Sequence, residues 1–229
     1  MCLMSTVRKE PQPSALQLCY ITDRRQFPGS EGDQERRLLA KIGECAAASV
    51  EFVQLREKDL AAHALEALAH KAMAAIPAGT STRLLVNSRI DVALACDAHG
   101  VHLPARGLSA GEARVIWDRA GKTGAVIGVS VHSPDEAALA EAHGADLALF
   151  GPVFEKNGKS NPQGLEQLRR ACQRSHPAAV PMPVLALGGI TLENAQLCWA
   201  AGAAGIAGIR LFQECDVAQV VSVLRALPF

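Results

Sequence analysis

Short apolar runs alternate with longer amphipathic segments along this chain from about residue 15 onwards. The apolar runs are rich in Val, Ile and Leu and only a few residues long, which predicts buried strands rather than helices. The predicted strands are Leu18–Thr22, Glu51–Leu55, Leu84–Val86, Gly100–Leu103, Val126–Val129, Asp146–Phe150, Val184–Leu187 and Gly205–Ile209.

A helix-like segment follows each predicted strand. These segments are Asp33–Ala48, Leu60–Ala75, Ile90–Cys96, Ser109–Arg119, the stretch from Pro134 to Gly144, Gln163–Arg174, Leu192–Ala201 and Val217–Leu227. Strict alternation predicts a parallel sheet, and eight strand–helix units in 229 residues favour a closed (β/α)8 TIM barrel over an open sheet. We therefore predict a single-domain barrel over residues 15–229, preceded by a polar, loosely ordered tail over residues 1–14.

The stretch from residue 127 to 154 contains the clearest strand–helix–strand unit. Ser133 is suited to cap the helix, Pro134 suits its first turn, and Glu136 is three residues after Ser133, as in a capping box. Gly144 is expected to end the helix. This arrangement leaves His132 just beyond the C-terminal end of the fifth strand, where parallel barrels bind their ligands.

The composition narrows the class of protein. Hydrophobic residues make up 49% and aromatic residues 4%, so the core must consist mainly of small and branched aliphatic side chains. A net charge of zero argues against a nucleic-acid binder or a polybasic membrane segment. No apolar run reaches the length of about 18 residues that a membrane span needs.

The start lacks a signal-peptide apolar region, and the seven cysteines never form Cys-x-x-Cys. We therefore expect reduced thiols and a cytoplasmic protein.

Polar residues follow the second strand with the alternation of an extended chain. Gln54, Arg56 and Lys58 would share one face. A solvated charge cluster is the alternative, but Gln54 is still inside the strand, where a polar side chain needs a partner. We interpret the three residues as a substrate-binding group.

Three further polar residues follow the next strands. Asn87, after strand three, either binds substrate or caps the following helix. His102, in strand four, either lines the top of the barrel or is a hydrogen-bonded core histidine. His132 is suited to transfer protons near neutral pH, with a plain turn residue as the alternative.

Glycine-rich segments after strands seven and eight predict a phosphate site. Gly188 and Gly189 follow strand seven, and Gly208, Ile209 and Arg210 follow strand eight. Barrels often bind phosphate with these two loops, through backbone amides. Lys159, in the loop over residues 155–162, is either part of a lid that closes on an anion or a solvent-exposed charge.

Several longer motifs resemble one known superfamily. They are YITD (Tyr20–Asp23), VQLREKD (Val53–Asp59), VNSRIDVALACDAHGVHLP (Val86–Pro104), IGVSVHS (Ile127–Ser133), GADLALFGPVFE (Gly144–Glu155) and PVLALGGIT (Pro183–Thr191). In order and spacing they resemble thiamine phosphate synthase and its close relative, the TenI-type thiazole tautomerase. The resemblance implies a barrel enzyme of thiamine biosynthesis that acts on a small phosphorylated thiazole.

Within this superfamily, the metal site favours the tautomerase branch. Family synthases hold Mg²⁺ with an Asp directly after the strand-three Asn and an acid shortly after the VHL motif. Here Ser88 stands at the first position, and residues 104–107, Pro-Ala-Arg-Gly, contain no acid. Because Mg²⁺ prefers carboxylate oxygens, we predict no cofactor, and Mg²⁺ only if the protein is a synthase after all.

The resemblance assigns proton transfer to His132 and phosphate binding to the glycine loops. Two departures remain: Gln54, Arg56 and Lys58 keep a synthase-like diphosphate pattern, and Arg210 replaces a small Ser. Our first hypothesis is metal-independent tautomerisation of thiazole phosphate carboxylate. The alternatives are a thiamine phosphate synthase, which joins a pyrimidine diphosphate to thiazole phosphate, and a non-catalytic or regulatory relative. Apolar surfaces on barrel helices would allow a homodimer.

Overall fold

The structure is a computed structural model that describes residues 16–155, 162–173 and 181–228. The predicted tail over residues 1–14 and Lys159 lie outside the described residues. Within the described ranges, no helix has both the length and the apolar character that a membrane crossing requires.

Eight parallel strands close into a barrel, with the first strand paired to the last. The strands are β1 (Gln17–Ile21), β2 (Phe52–Leu55), β3 (Arg83–Asn87), β4 (Gly100–Leu103), β5 (Val126–Val131), β6 (Leu147–Phe150), β7 (Val184–Leu187) and β8 (Gly205–Gly208). The predicted single-domain (β/α)8 barrel is confirmed.

Helices follow the strands around the outside of the barrel. They are α1 (Glu31–Ala47), α2 (Ala62–Ala75), α3 (Ile90–Ala95), α4 (Ala110–Arg119), α5 (Pro134–Ala142), α6 (Gly164–Cys172), α7 (Ala195–Ala200), α8 (Arg210–Gln213) and α9 (Val217–Ala226). The short helix α8 and a single 3-10 turn, Arg24–Gln26, were not predicted, because one turn is too short to show a helical period.

Strand β5 extends two residues further than predicted. We expected Ser130 and Val131 to break the strand, but Ser130 pairs with Leu149 and Val131 with Phe150. The polar Ser130 is compatible with the strand because its hydroxyl has a hydrogen-bond partner in β4. Because β5 ends at Val131, His132 is the first residue beyond the strand.

The start of α5 differs in one detail from the predicted capping box. Ser133 caps the helix by accepting from the Glu136 amide at 3.1 Å, as expected. The Glu136 carboxylate, however, accepts from the amide of His132 at 2.6 Å rather than from that of Ser133. Its side chain therefore reaches one residue further back and fixes the backbone of the candidate catalytic residue.

The apolar core has two layers, as alternation along each strand requires. One layer packs between the strands and the helices. The inner layer fills the barrel with the side chains of Cys19, Ile21, Leu85, Val126, Leu147, Leu149, Leu185 and Ala207. Polar side chains of the inner face lie at both ends of this plug: Gln17 and Arg83 at the N-terminal ends of their strands, and Gln54 and His102 towards the C-terminal ends.

Candidate active site at the barrel mouth

Neighbouring strands bring several of the predicted site residues together at this end of the barrel. Asn87 of β3 is in register with His102 of β4, and the His102 ring contacts the Ser130 hydroxyl of β5. The end of β2 lies beside the same group, because Leu55 is in register with Val86 of β3 and Arg56 follows directly. The structure thus collects residues from four consecutive strands on the inner face.

Gln54 is buried inside the barrel mouth, with only 2% of its surface exposed. Its side-chain nitrogen Nε2 has no hydrogen-bond partner among the described residues. Arg56 is half-buried and Lys58 is exposed, and neither forms an ion pair within the described part of the chain. Neither cation is neutralised by a described carboxylate, and the substrate-binding role of the three residues stays a prediction.

Glu57, which lies between Arg56 and Lys58 in the sequence, is not part of a solvated charge cluster. Glu57 is only 5% exposed and accepts from the Thr22 hydroxyl at 2.6 Å and from Arg24 Nη1 at 3.0 Å. Burial raises the pKa of the Glu57 carboxyl, and its hydrogen bonds from Thr22 and Arg24 oppose that rise. The sequence interpretation missed Glu57; the same alternation that grouped Gln54 with Arg56 could have placed it on the opposite, buried face.

Asn87 does not cap the following helix. The N-cap residue of α3 is Arg89, and the Asn87 side chain donates to the Ser88 hydroxyl at 3.1 Å. Ser88 adopts a left-handed backbone with φ of 62°, so the chain turns sharply before the helix begins. Asn87 is half-buried at the end of β3, and the substrate-binding role stays a prediction.

His102 is a buried histidine rather than a proton carrier. It is 2% exposed, and its Nε2 is 2.8 Å from the Ser130 hydroxyl. Burial, assisted by the nearby positive charge of Arg56, lowers the pKa of His102 to about 3. The ring is therefore neutral near pH 7. It orients the Ser130 hydroxyl and adds no charge to the mouth.

His132 has the opposite environment. Its side chain is exposed, and its Nδ1 is 2.5 Å from the carbonyl oxygen of Gly151. A carbonyl oxygen only accepts hydrogen bonds, so Nδ1 carries the proton of the neutral ring. The other nitrogen, Nε2, is left with its lone pair, which is the form that a general base needs.

The loops after β7 and β8 enclose a cavity of about 240 Å³, lined by Gly188, Gly189, Gly208, Ile209 and Arg210 together with neighbouring residues. The backbone amides of Gly189, Ile190 and Ile209 donate to no acceptor within the described residues. Arg210 is exposed, and none of the described residues forms an ion pair with it. The cavity therefore offers amide donors and one cation to an anion.

Close packing also explains why glycine occupies the two positions after β7. Gly188 and Gly189 have φ of 97° and 65°. A Cβ at Gly188 would be 2.7 Å from Pro152, and one at Gly189 would be 2.8 Å from the carbonyl oxygen of Glu155. Because the loop after β6 packs this closely, the glycine pair alone is weaker support for a phosphate site than the sequence suggested.

The described residues do not fit the magnesium site of the family resemblance. Among them, no group of three or more His, Cys, Asp or Glu side chains is arranged to hold a metal ion. Ser88 and the loop over residues 104–107 supply no carboxylate where the resemblance expects one. No chemical step is assigned to a metal on the basis of these residues.

Comparisons with known proteins point to one family. A family model described as thiamine monophosphate synthase matches residues 18–212. A protein of Geobacter sulfurreducens named putative thiamine-phosphate synthase is 43% identical over 193 residues, covering 83% of each chain. The thiamine-phosphate synthase of Chlorobium limicola is 39% identical over 207 residues, covering 86% of each. None of these matches is named as a tautomerase.

A solved structure supports the same placement. The thiamine phosphate pyrophosphorylase from Pyrococcus furiosus superimposes with a TM-score of 0.72 at 30% sequence identity. The similarity covers 92% of this chain and 94% of that one. The match therefore extends over the whole barrel and not over a single motif.

Proposed function

This chain belongs to the thiamine monophosphate synthase family, a family of thiamine biosynthesis enzymes, and from that membership we propose that it joins a pyrimidine diphosphate to a thiazole phosphate. The observation that carries the proposal is the similarity to named synthases over 83% or more of the chain. The residues of the metal site and His132, taken alone, favour tautomerisation. The relatives reverse that preference.

The barrel mouth has two separate groups that suit the two anionic substrates. The amide-lined cavity beside Gly189 and Ile209 suits the thiazole phosphate. Across the mouth, Arg56 and Lys58 suit the diphosphate, because cations stabilise the negative charge of a departing diphosphate. Lys58 would be unnecessary if the reaction involved only a thiazole phosphate carboxylate.

Tautomerisation of thiazole phosphate carboxylate remains a second candidate, favoured by the geometry of His132. Its Nδ1–H is held by the Gly151 carbonyl, so Nε2 would take a proton from the substrate ring. The imidazolium would then return that proton at another position of the ring. This reaction needs no metal, which agrees with the missing carboxylates at residues 88 and 104–107.

A paired assay on the purified protein distinguishes the candidates. One arm follows thiamine phosphate formation from pyrimidine diphosphate and aromatic thiazole phosphate, with Mg²⁺ or with a chelator. The other arm follows aromatisation of thiazole phosphate carboxylate. We expect coupling in the first arm. Aromatisation alone, insensitive to the chelator, would establish the second candidate, and binding without turnover would establish a non-catalytic relative.

The variant His132→Gln sharpens the assay, with His143→Gln as its control. Both histidines are exposed, and His143 ends α5 away from the mouth. Loss of a general base typically costs about 10²- to 10⁴-fold in rate. If the wild type catalyses aromatisation, that loss should appear for His132→Gln only, and coupling should change by no more than about threefold. Full aromatisation by His132→Gln would remove His132 as the proton carrier.

A further inference from the structure

A buried network of charged and polar groups ties the loop after β1 to the loop after β2. It consists of Thr22, Arg24, Glu57 and Asp59, and we call it the clamp. Thr22 is fully buried, Arg24 is 7% exposed and Glu57 is 5% exposed. Burying charged groups costs free energy unless they are paired and hydrogen-bonded. The partners of each group in the clamp therefore have to be identified.

Every charged group in the clamp has a defined partner. The Glu57 carboxylate accepts from the Thr22 hydroxyl at 2.6 Å, from the Arg24 amide at 3.1 Å and from Arg24 Nη1 at 3.0 Å. The Arg24 guanidinium also donates two bonds of 2.8 Å to the Asp59 carboxylate. The bidentate pair holds the pKa of Asp59 below its usual range. The charged groups of the clamp are thus paired by charge-assisted hydrogen bonds, which are the stronger kind.

The clamp also fixes the residues that alternate with its own members. The Thr22 hydroxyl that donates to Glu57 accepts from the Arg56 amide at 2.9 Å. Arg56 comes directly after β2, on the face that Gln54 shares. Lys58 lies in the turn closed by the Leu60 amide and the Glu57 carbonyl oxygen at 3.3 Å, between the two carboxylates that Arg24 holds. The influence of Arg56 on His102 agrees with the placement of Arg56.

The same loop is joined to the other side of the site. Gln213 of α8 donates to the Asp23 carbonyl at 2.8 Å and accepts from the Tyr20 hydroxyl at 2.9 Å. Helix α8 begins at Arg210, which lines the glycine cavity. The loop after β1 therefore connects the candidate diphosphate group to the candidate phosphate cavity.

We propose that Glu57 is a positioning residue, which through the clamp holds Arg56 and Lys58 in the orientation that binds a diphosphate group. This inference rests on the proposed function, since it concerns the same site. Arg24 has two carboxylate partners, while no carboxylate among the described residues pairs with Arg56 or Lys58. The clamp thereby keeps Arg24 bound internally and leaves the other two cations for the ligand.

The test measures binding of inorganic diphosphate by calorimetry, so it does not depend on turnover. In Glu57→Gln the charge is lost and the Arg24 bonds weaken. We expect diphosphate affinity to fall about tenfold or more, since small displacements of positioned groups cost up to about a hundredfold. Asp146→Asn is the matched control, because it removes the ion pair with Arg114 away from the mouth, and it should change affinity less than about twofold.

A double variant separates positioning from mere loss of stability. If Glu57 acts through Arg56 and Lys58, the double variant Arg56→Ala, Glu57→Gln should lose less diphosphate affinity than the two single losses combined, because Glu57 then acts through Lys58 alone. Affinity for inorganic phosphate at the glycine loops should stay within about twofold of wild type in Glu57→Gln and in the double variant. Additive losses, or wild-type diphosphate affinity in folded Glu57→Gln, would overturn the inference.

Two further outcomes are decisive. If Glu57→Gln does not fold, Asp59→Asn replaces it, since the Asp59 side chain is 35% exposed; a loss of about threefold supports the clamp and no loss overturns it. If the wild-type protein itself binds no diphosphate, the proposed function fails and the inference fails with it. That result is distinct from normal wild-type binding with unchanged variants, which would overturn the inference alone.

Discussion

Two histidines at the barrel mouth show how strongly surroundings decide the chemistry of one residue type. His102 is buried against Ser130, and burial lowers its pKa to about 3. His132 is exposed, with Nδ1 bonded to the backbone carbonyl of Gly151. Of the two, His132 therefore has the access that proton transfer to a ligand needs.

His102 should make the stability of the protein depend on pH. Its folded-state pKa lies below the unfolded value of about 6.5, so the unfolded chain takes up the proton first as pH falls. The stabilisation is complete above pH 6.5 and is lost towards pH 3, at about 1.4 kcal/mol per pH unit. We expect wild type to lose about 2 kcal/mol between pH 6.5 and 5 from this group.

Urea unfolding of wild type and His102→Gln at those two pH values checks this prediction. The variant should lack the His102 contribution, so the difference between the two pH values should shrink by about 2 kcal/mol. Between pH 7 and 8 the two proteins should show the same slope. An equal acid sensitivity in both proteins would mean that His102 is not protonated on unfolding.

At the scale of single elements, the start of α5 combines a structural and a functional task. Ser133 accepts from the Glu136 amide, which caps the helix. The Glu136 side chain holds the amide of His132, and His132 is the last residue before the cap. The helix N-terminus and the candidate proton carrier are therefore fixed by one set of hydrogen bonds.

Removing the cap should cost stability without removing the fold. Ser133→Ala is expected to lower the free energy of unfolding by about 1 kcal/mol, the usual value of an N-cap. Ser222→Ala, at an exposed position inside α9, is the control and should be neutral or slightly stabilising, because Ala has the higher helix propensity. Urea midpoints measure both. Equal effects of the two substitutions would contradict the capping role.

At the scale of the whole molecule, the aliphatic plug inside the barrel supports the mouth from below. Leu149 is 1% exposed and belongs to this inner layer. Leu139, by contrast, is on α5 and is 56% exposed. The pair allows the same substitution to be compared inside the barrel and on its surface.

Leu149→Ala should destabilise the protein by about 2 to 5 kcal/mol, because it leaves a cavity among close-packed side chains. Leu139→Ala should change the free energy of unfolding by no more than about 0.5 kcal/mol, as is usual for surface positions. Thermal or urea unfolding of both variants checks the difference. A mild effect at Leu149 would indicate that the inner layer is loosely packed.

The barrel could be predicted from the sequence because its signal is local. Each strand is a short, mostly aliphatic run, and four of the described helices begin with a capping side chain, α1, α4, α5 and α9. The eight units could therefore be counted without knowledge of contacts. The errors occurred where contacts decide: β5 continues through Ser130 because His102 offers its hydroxyl a partner. One-turn elements such as α8 carry too few residues for a period to appear.

The sequence by itself determined the fold and the set of polar residues that follow the strands. Only the tertiary structure decided which of them are buried, because burial depends on groups that are far apart in the chain. Glu57 is held by Arg24 across two loops, and Gly189 is required by the close approach of the loop after β6. Strand order and closure create these contacts, and no local pattern encodes the distances between them.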